Sequence, residues 1–262
     1  KRELRRIHAD LMNRVRKLIG ALQKQANTDS THTPKEEPTL TNRVTHPMDT
    51  PQTILFLASN PMDSGRLRLD KELREVREAL EAATHRDDFL LEDLVAVRAR
   101  DLGKGLLKYE PYILHFSGHG VAHMDQAGSS ASGTRGPLDL DWEDEDTAPE
   151  YQGGIALEDD EGNTRLVSAE ALAGLIKLFP SIKCVFLNAC YSEVQAKAII
   201  SHGPCVIGMN TAIPDPTAIA FARAFYEALG EKRAIRDAFA YAKAFINLDG
   251  VIGSAIPQLI CP

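Results

Sequence analysis

No apolar run in the chain approaches the roughly 18 residues needed to span a bilayer, and the stretch from Lys1 to Lys24 is too charged for a secretory signal. A membrane span and an export leader are set aside, and a cytoplasmic location is the expectation. The four cysteines, Cys184, Cys190, Cys205 and Cys261, include no Cys-x-x-Cys pair, so neither a disulfide framework nor a zinc site is indicated. Cys184 and Cys205 lie inside apolar, strand-like runs, which makes reduced core thiols the expectation. Gly-x-Gly-x-x-Gly is missing as well: Gly118-His119-Gly120 lacks the spacing that a pyrophosphate turn requires, which argues against a nucleotide-binding Rossmann domain. The first residue is Lys rather than Met, which suggests a fragment or a processed product of a longer chain.

What is present suits one sizeable α/β core plus an appendage: 262 residues, 44% hydrophobic and 26% charged. The net charge of −7 is unevenly spread, with eight Lys or Arg against Glu3 and Asp10 between Lys1 and Lys24, and seven acids without a base between Asp139 and Glu150. Such a balance does not favour nucleic-acid binding by the whole chain and leaves open local attraction between its own ends or to partners of opposite sign.

Leu4, Ile7, Leu11, Val15, Leu18 and Leu22 recur at spacings of three and four, one stripe of a helix whose other face is basic. A lone helix of this length is marginal in water, so residues 1–26 are expected to serve docking or association. The stripe has no aromatics, which disfavours a membrane surface. Residues 27–50, broken by Pro34, Pro38 and Pro47, read as a flexible linker to a domain at 51–262.

That domain alternates strand and helix. Thr53 to Ala58 is a buried strand, followed by a helix from about Arg66 to Ala83, a strand at Phe89 to Val97 and a short helix that Asp101 can cap. A third strand starts at Tyr112, and together these predict a parallel sheet with crossovers. Residues 122–152, Gly/Ser-rich and then acidic, read as a mobile insertion, with Arg135 a candidate processing site. A hairpin at Gly154–Leu157 and Thr164–Val167, a helix capped by Ser168, and a strand at Cys205–Met209 follow. A helix from Asp215 to Leu229, another at Ala234 to Leu248 and a short final strand near Ala255 to Ile260 complete the pattern.

Two strands end in the same way. Ile182 to Ser192, Ile-Lys-Cys-Val-Phe-Leu-Asn-Ala-Cys-Tyr-Ser, is apolar until it breaks into small and polar residues, and helical character resumes at Glu193. Cys190 therefore falls in a strand-to-helix turn, where helix amides stabilise a thiolate and α/β sheets bind ligands. Tyr112 to Gly120 ends in Ser-Gly-His-Gly at what should be the same sheet edge. A His and a Cys at neighbouring strand ends form the general base and nucleophile of acyl transfer. The amides of Gly120 and Cys190 are candidates for an oxyanion hole, glycine allowing close approach.

His-Phe-Ser-Gly-His-Gly, followed some seventy residues later by Phe-Leu-Asn-Ala-Cys-Tyr-Ser, resembles the CHAT family, caspase-like cysteine peptidases similar in their site to separase, gingipain and the caspases. The resemblance runs from about Thr53 to Cys261 and includes Gly-Gly-Ile-Ala-Leu-Glu-Asp at 153–159 and Val-Ile-Gly-Met at 206–209. It implies a caspase-like α/β fold, with a mostly parallel central sheet and helices on both faces, preceded here by the amphipathic helix. It also implies a His119–Cys190 dyad that cleaves protein substrates with no metal or organic cofactor. An activating protein or complex acting through the amino-terminal helix, and a bacterial defence or programmed-death pathway, are the expected setting. In relatives of this fold the residue two before the Cys and the loop after the next strand shape the pocket for the side chain preceding the cleaved bond. These are Asn188 and the stretch 210–215, in which the carboxylate of Asp215 would favour Arg or Lys unless it only caps a helix; Asp159 is a further candidate. The alternative is a catalytically silent scaffold used for protein interaction.

Overall fold

Gln52–Ser59 (β1), Ile113–Gly118 (β3) and Cys184–Asn188 (β7) are apolar runs buried along almost their whole length, as strands covered on both faces must be. They are the centre of the computed structural model, which describes residues 50–121 and 153–262. The helix expected within 1–26, nearly all of the linker and the insertion at 122–152 with Arg135 lie outside the described residues.

Phe89–Val95 (β2), Cys205–Met209 (β8) and Pro257–Ile260 (β9) complete a six-stranded sheet in the order β2-β1-β3-β7-β8-β9. All pairs are parallel except β8 with β9. Gly120–Val121 (β4), Gly154–Glu158 (β5) and Thr164–Ser168 (β6) form a small antiparallel sheet at its rim. Side-chain alternation sends Ile54, Phe56, Ile113, Phe186 and Ile207 to one face. There they meet Leu69–Ala82 (α1), Asp215–Gly230 (α5) and Ile235–Leu248 (α6). Leu55, Leu57, Leu114, Val185 and Leu187 go to the other, under Ala99–Tyr109 (α2), Ala169–Ile176 (α3) and Glu193–Ile200 (α4). The result is an α/β sandwich with helices on both faces of a mostly parallel sheet.

Several boundaries differ from expectation for local reasons. Helix α1 begins at Leu69 rather than near Arg66, because the Asn60 side chain holds the backbone of Leu67 and Pro61–Ser64 forms a turn. Asp101 caps the start of α2 from the third helical position rather than as the N-cap residue, its carboxylate accepting from the Arg98 backbone amide and side chain. That pairing holds the Asp101 carboxyl below the usual carboxylate range. Ser168 does cap α3, accepting from the Ala171 amide at 3.2 Å.

The expectation of four reduced thiols is corrected. Cys205 and Cys261 form a disulfide with Cα atoms 4.2 Å apart. The antiparallel register that sets Val206 against Ile260 brings Cys205 opposite Cys261, a cross-strand relation invisible in Cys spacing. Cys184 and Cys190 are free, and burial pushes the Cys184 thiol up to about 12. No helix among the described residues is long and apolar enough to cross a membrane.

Candidate active site

Strand β7 ends at Asn188, and the chain must turn sharply to enter α4. Tyr191 takes a left-handed conformation (φ 55°) to do so, a strain that for a non-glycine residue persists where surrounding contacts enforce it. Ser192 supplies such contacts: fully buried, it donates to the Leu187 carbonyl at 3.0 Å and accepts from the Met209 amide at 2.9 Å. The turn is thus pinned to β7 and β8, and it presents a partly exposed Cys190.

Strand β3 ends beside it. His119 is 7% exposed, and its backbone carbonyl accepts from the Ala156 amide of β5. Gly120 packs so closely against the turn that an added Cβ would run into the Cys190 carbonyl oxygen and come within 3.2 Å of the Ala189 methyl. The structure therefore brings the backbone following His119 into contact with the backbone of Cys190. Asn188 lies below, 5% exposed, its amide donating to Glu72 at 2.7 Å and to the Ala218 carbonyl at 3.3 Å.

The His119 ring is oriented by a group that the sequence does not advertise. Its Nε2 is hydrogen-bonded to the Gly65 carbonyl, in the loop between β1 and α1. A carbonyl only accepts, so Nε2 carries the proton and Nδ1 is the basic nitrogen of the neutral ring. Burial lowers the His119 pKa, opposed by the Gly65 bond and by the negative charge of Asp63. Asp63 in turn accepts from the Thr164 amide and hydroxyl, and the Met62 amide donates to the Gly162 carbonyl, so the loop is fastened to the β5–β6 hairpin.

Asp215 and Asp159 are placed differently. Asp215 is the first residue of α5 with Pro214 at the cap, and no side-chain cap bond forms. Its carboxylate instead takes the Arg68 side chain at 2.6 Å and the Arg68 amide at 3.4 Å. Asp159 accepts from the amides of Glu161 and Asn163 and so closes the hairpin turn. It lines a cavity of about 710 Å³ between that turn, Met62, the end of β2 and the length of α2 from Asp101 to Tyr109, a cavity whose lining includes neither His119 nor Cys190.

A group that sequence reading missed is Glu72 of α1, 2% exposed and hydrogen-bonded to His115, Ser117 and Asn188. A signal was there: Glu72 falls in the same stripe as Leu69, Val76 and Leu80, all buried, and a charge in an apolar stripe calls for partners. Among the described residues no three His, Cys, Asp or Glu side chains gather as metal ligands do.

A family model described as the CHAT domain matches residues 21–247. A protein called Roc-COR-CHAT protease, from an unknown prokaryotic organism, is 28% identical over 232 residues, 83% of this chain and 19% of that protein. A probable protease of Gillisia limnaea is 25% identical over 179 residues, 67% of this chain and 26% of its own length. The chain thus spans about a fifth to a quarter of these relatives. A secreted C11 cysteine protease from Bacteroides thetaiotaomicron, solved with an irreversible peptide inhibitor, superposes at a TM-score of 0.49 with 12% identity, over 80% of this chain and 66% of that one.

Proposed function

Because the chain belongs to the CHAT domain family, we propose that it is a cysteine peptidase of caspase-like fold that cleaves proteins internally through His119 and Cys190. The observation that carries this reading is the contact of Gly120 with the Cys190 carbonyl, beside a buried His119 whose Nε2 bonds to Gly65. Nδ1 of His119 takes the proton of the Cys190 thiol as the sulfur attacks the scissile carbonyl. The backbone amides of Gly120 and Cys190 stabilise the oxyanion, the amine leaves with the proton from His119, and water then hydrolyses the thioester. For the residue before the cleaved bond, Asp215 would favour Arg or Lys, and such a substrate would have to displace Arg68. Asn188 would act from beneath that pocket. A partner seated on the Leu4 to Leu22 stripe would activate the enzyme in a bacterial defence or programmed-death pathway.

The test is a proteome-wide comparison of new amino termini made by the wild type, Cys190→Ala and His119→Ala. Each substitution is expected to reduce cleavage below about one per cent, since residues acting as a unit lose nearly everything singly. Cleavage that persists in either variant would mean that another pair does the chemistry. If the wild type cuts nothing and its Cys190 resists iodoacetamide near neutral pH, the fold serves as a silent interaction scaffold.

A further inference from the structure

One carboxylate is buried under the site with no part in the chemistry proposed above. Removing a carboxylate from water is costly unless hydrogen bonds replace the lost solvation. Glu72 has three such partners, and they lie on two strands. Oε2 accepts from the Ser117 hydroxyl at 2.6 Å, Oε1 accepts from the Asn188 amide at 2.7 Å, and His115 Nε2 lies 2.9 Å from Oε1. The far side of the His115 ring meets the Tyr226 hydroxyl of α5 at 3.0 Å, and the ring stacks between Phe56 and Phe186. His115 on β3 and, through it, Tyr226 on α5 are the ionisable groups facing Glu72.

The register gives this cluster its meaning. Ser117 and Asn188 are the last paired residues of the β3–β7 ladder. Two residues beyond Ser117 is His119, and two residues beyond Asn188 is Cys190. Past that pair no ladder hydrogen bond fixes the distance between the strands, yet a nucleophile and its base need a separation held to fractions of an ångström. We infer that Glu72 is a positioning residue: its two oxygens bridge Ser117 and Asn188, and this bridge sets the spacing of His119 and Cys190 one pleat further on. A purely structural role would also suffer from Glu72→Leu, because Ser117, Asn188 and His115 would be left buried without this partner, so the readout has to be the coupling of His119 to Cys190 rather than stability.

This inference rests on the dyad reading, and the experiment separates the two. Iodoacetamide alkylation of the peptide carrying Cys190 is followed by mass spectrometry across pH in the wild type, Glu72→Leu, Glu72→Gln and Ser117→Ala, each with and without His119→Ala, and folding is checked by thermal melting. In the wild type, His119 should accelerate alkylation near neutral pH by at least about tenfold. In Glu72→Leu that acceleration should fall to about twofold, while Gln, which can accept from Asn188 and His115 and donate to Ser117, should restore most of it. Ser117→Ala cuts only the Oε2 tie and should lose part of the acceleration, which decides the matter if Glu72→Leu does not fold. Full His119 dependence in folded Glu72→Leu, or in Ser117→Ala should Glu72→Leu not fold, overturns the inference. So does failure of Gln to restore it, since charge rather than geometry would then be acting. If His119→Ala changes nothing in the wild-type background, the dyad itself is wrong, and the inference falls with it.

Discussion

His119 is subject to two opposing influences, and their balance sets where on the pH scale its ring is neutral, as the proposed role of base requires. Burial disfavours the imidazolium, while the Gly65 carbonyl and the Asp63 charge favour it; burial dominates, so the pKa lies below the ordinary imidazole value. The ring is therefore neutral, and able to accept the thiol proton, further into the acid range than an exposed histidine. The acid limb of kcat/KM should accordingly fall below the ordinary histidine value. Asp63→Asn keeps an oxygen for Thr164 but removes a charge that raises the pKa, so it should move that limb to still lower pH. A limb that stays put, or moves upward, in a pH–rate series would show that Asp63 does not act on His119. His119 and Cys190 could be singled out because each interrupts an apolar run with small neighbours. Gly65 could not, since it contributes only a backbone oxygen, and any residue has one.

Elements are joined at this site by backbone contacts that tolerate no added atom. Strand β4 is only two residues long, yet it ties the end of β3 to β5 and presses Gly120 onto the turn after β7. Gly120→Ala would place a methyl against the Cys190 carbonyl. It is expected to lower kcat/KM by about a hundredfold through misplacement of the site and to cost about 1–3 kcal/mol through overpacking. Steady-state kinetics and denaturant titration would check both, and an alanine variant of wild-type activity would show that β4 can move aside. The strands were readable from composition because burial on both faces demands unbroken apolar runs. The start of α1 was not, since it depends on the Asn60 side chain seven residues away bonding to Leu67. Asp215 shows a similar limit: Asp-Pro reads as a cap, but Arg68, remote in sequence, takes its carboxylate.

Across the whole molecule, long-range pairing governs what sequence alone leaves open. The link between Cys205 and Cys261 closes a separation of 56 residues that contains α5 and α6. In the chain-entropy view a loop of that size contributes about 4 kcal/mol. Cys261→Ser should lower the denaturant midpoint under oxidising conditions by that free energy divided by the m-value, and reduced wild type should match the variant; equal midpoints for oxidised wild type and the variant would deny the link any role. The strand order carries a different consequence. Reading β2-β1-β3-β7-β8-β9 across the sheet, the three strands before residue 122 lie on one side and the three large-sheet strands after residue 152 lie on the other. His119 stands on one bank of that seam and Cys190 on the other. The seam is closed by the β3–β7 ladder, the β4–β5 pair, the packing of α1 on α5 and the Glu72–Asn188 bond. Polypeptides 50–121 and 153–262, produced together, are thus expected to find each other and reconstitute alkylation of Cys190 that depends on His119, as neither half alone can. In that form the protein would be a two-part sensor, its reactivity reporting whether the halves have met.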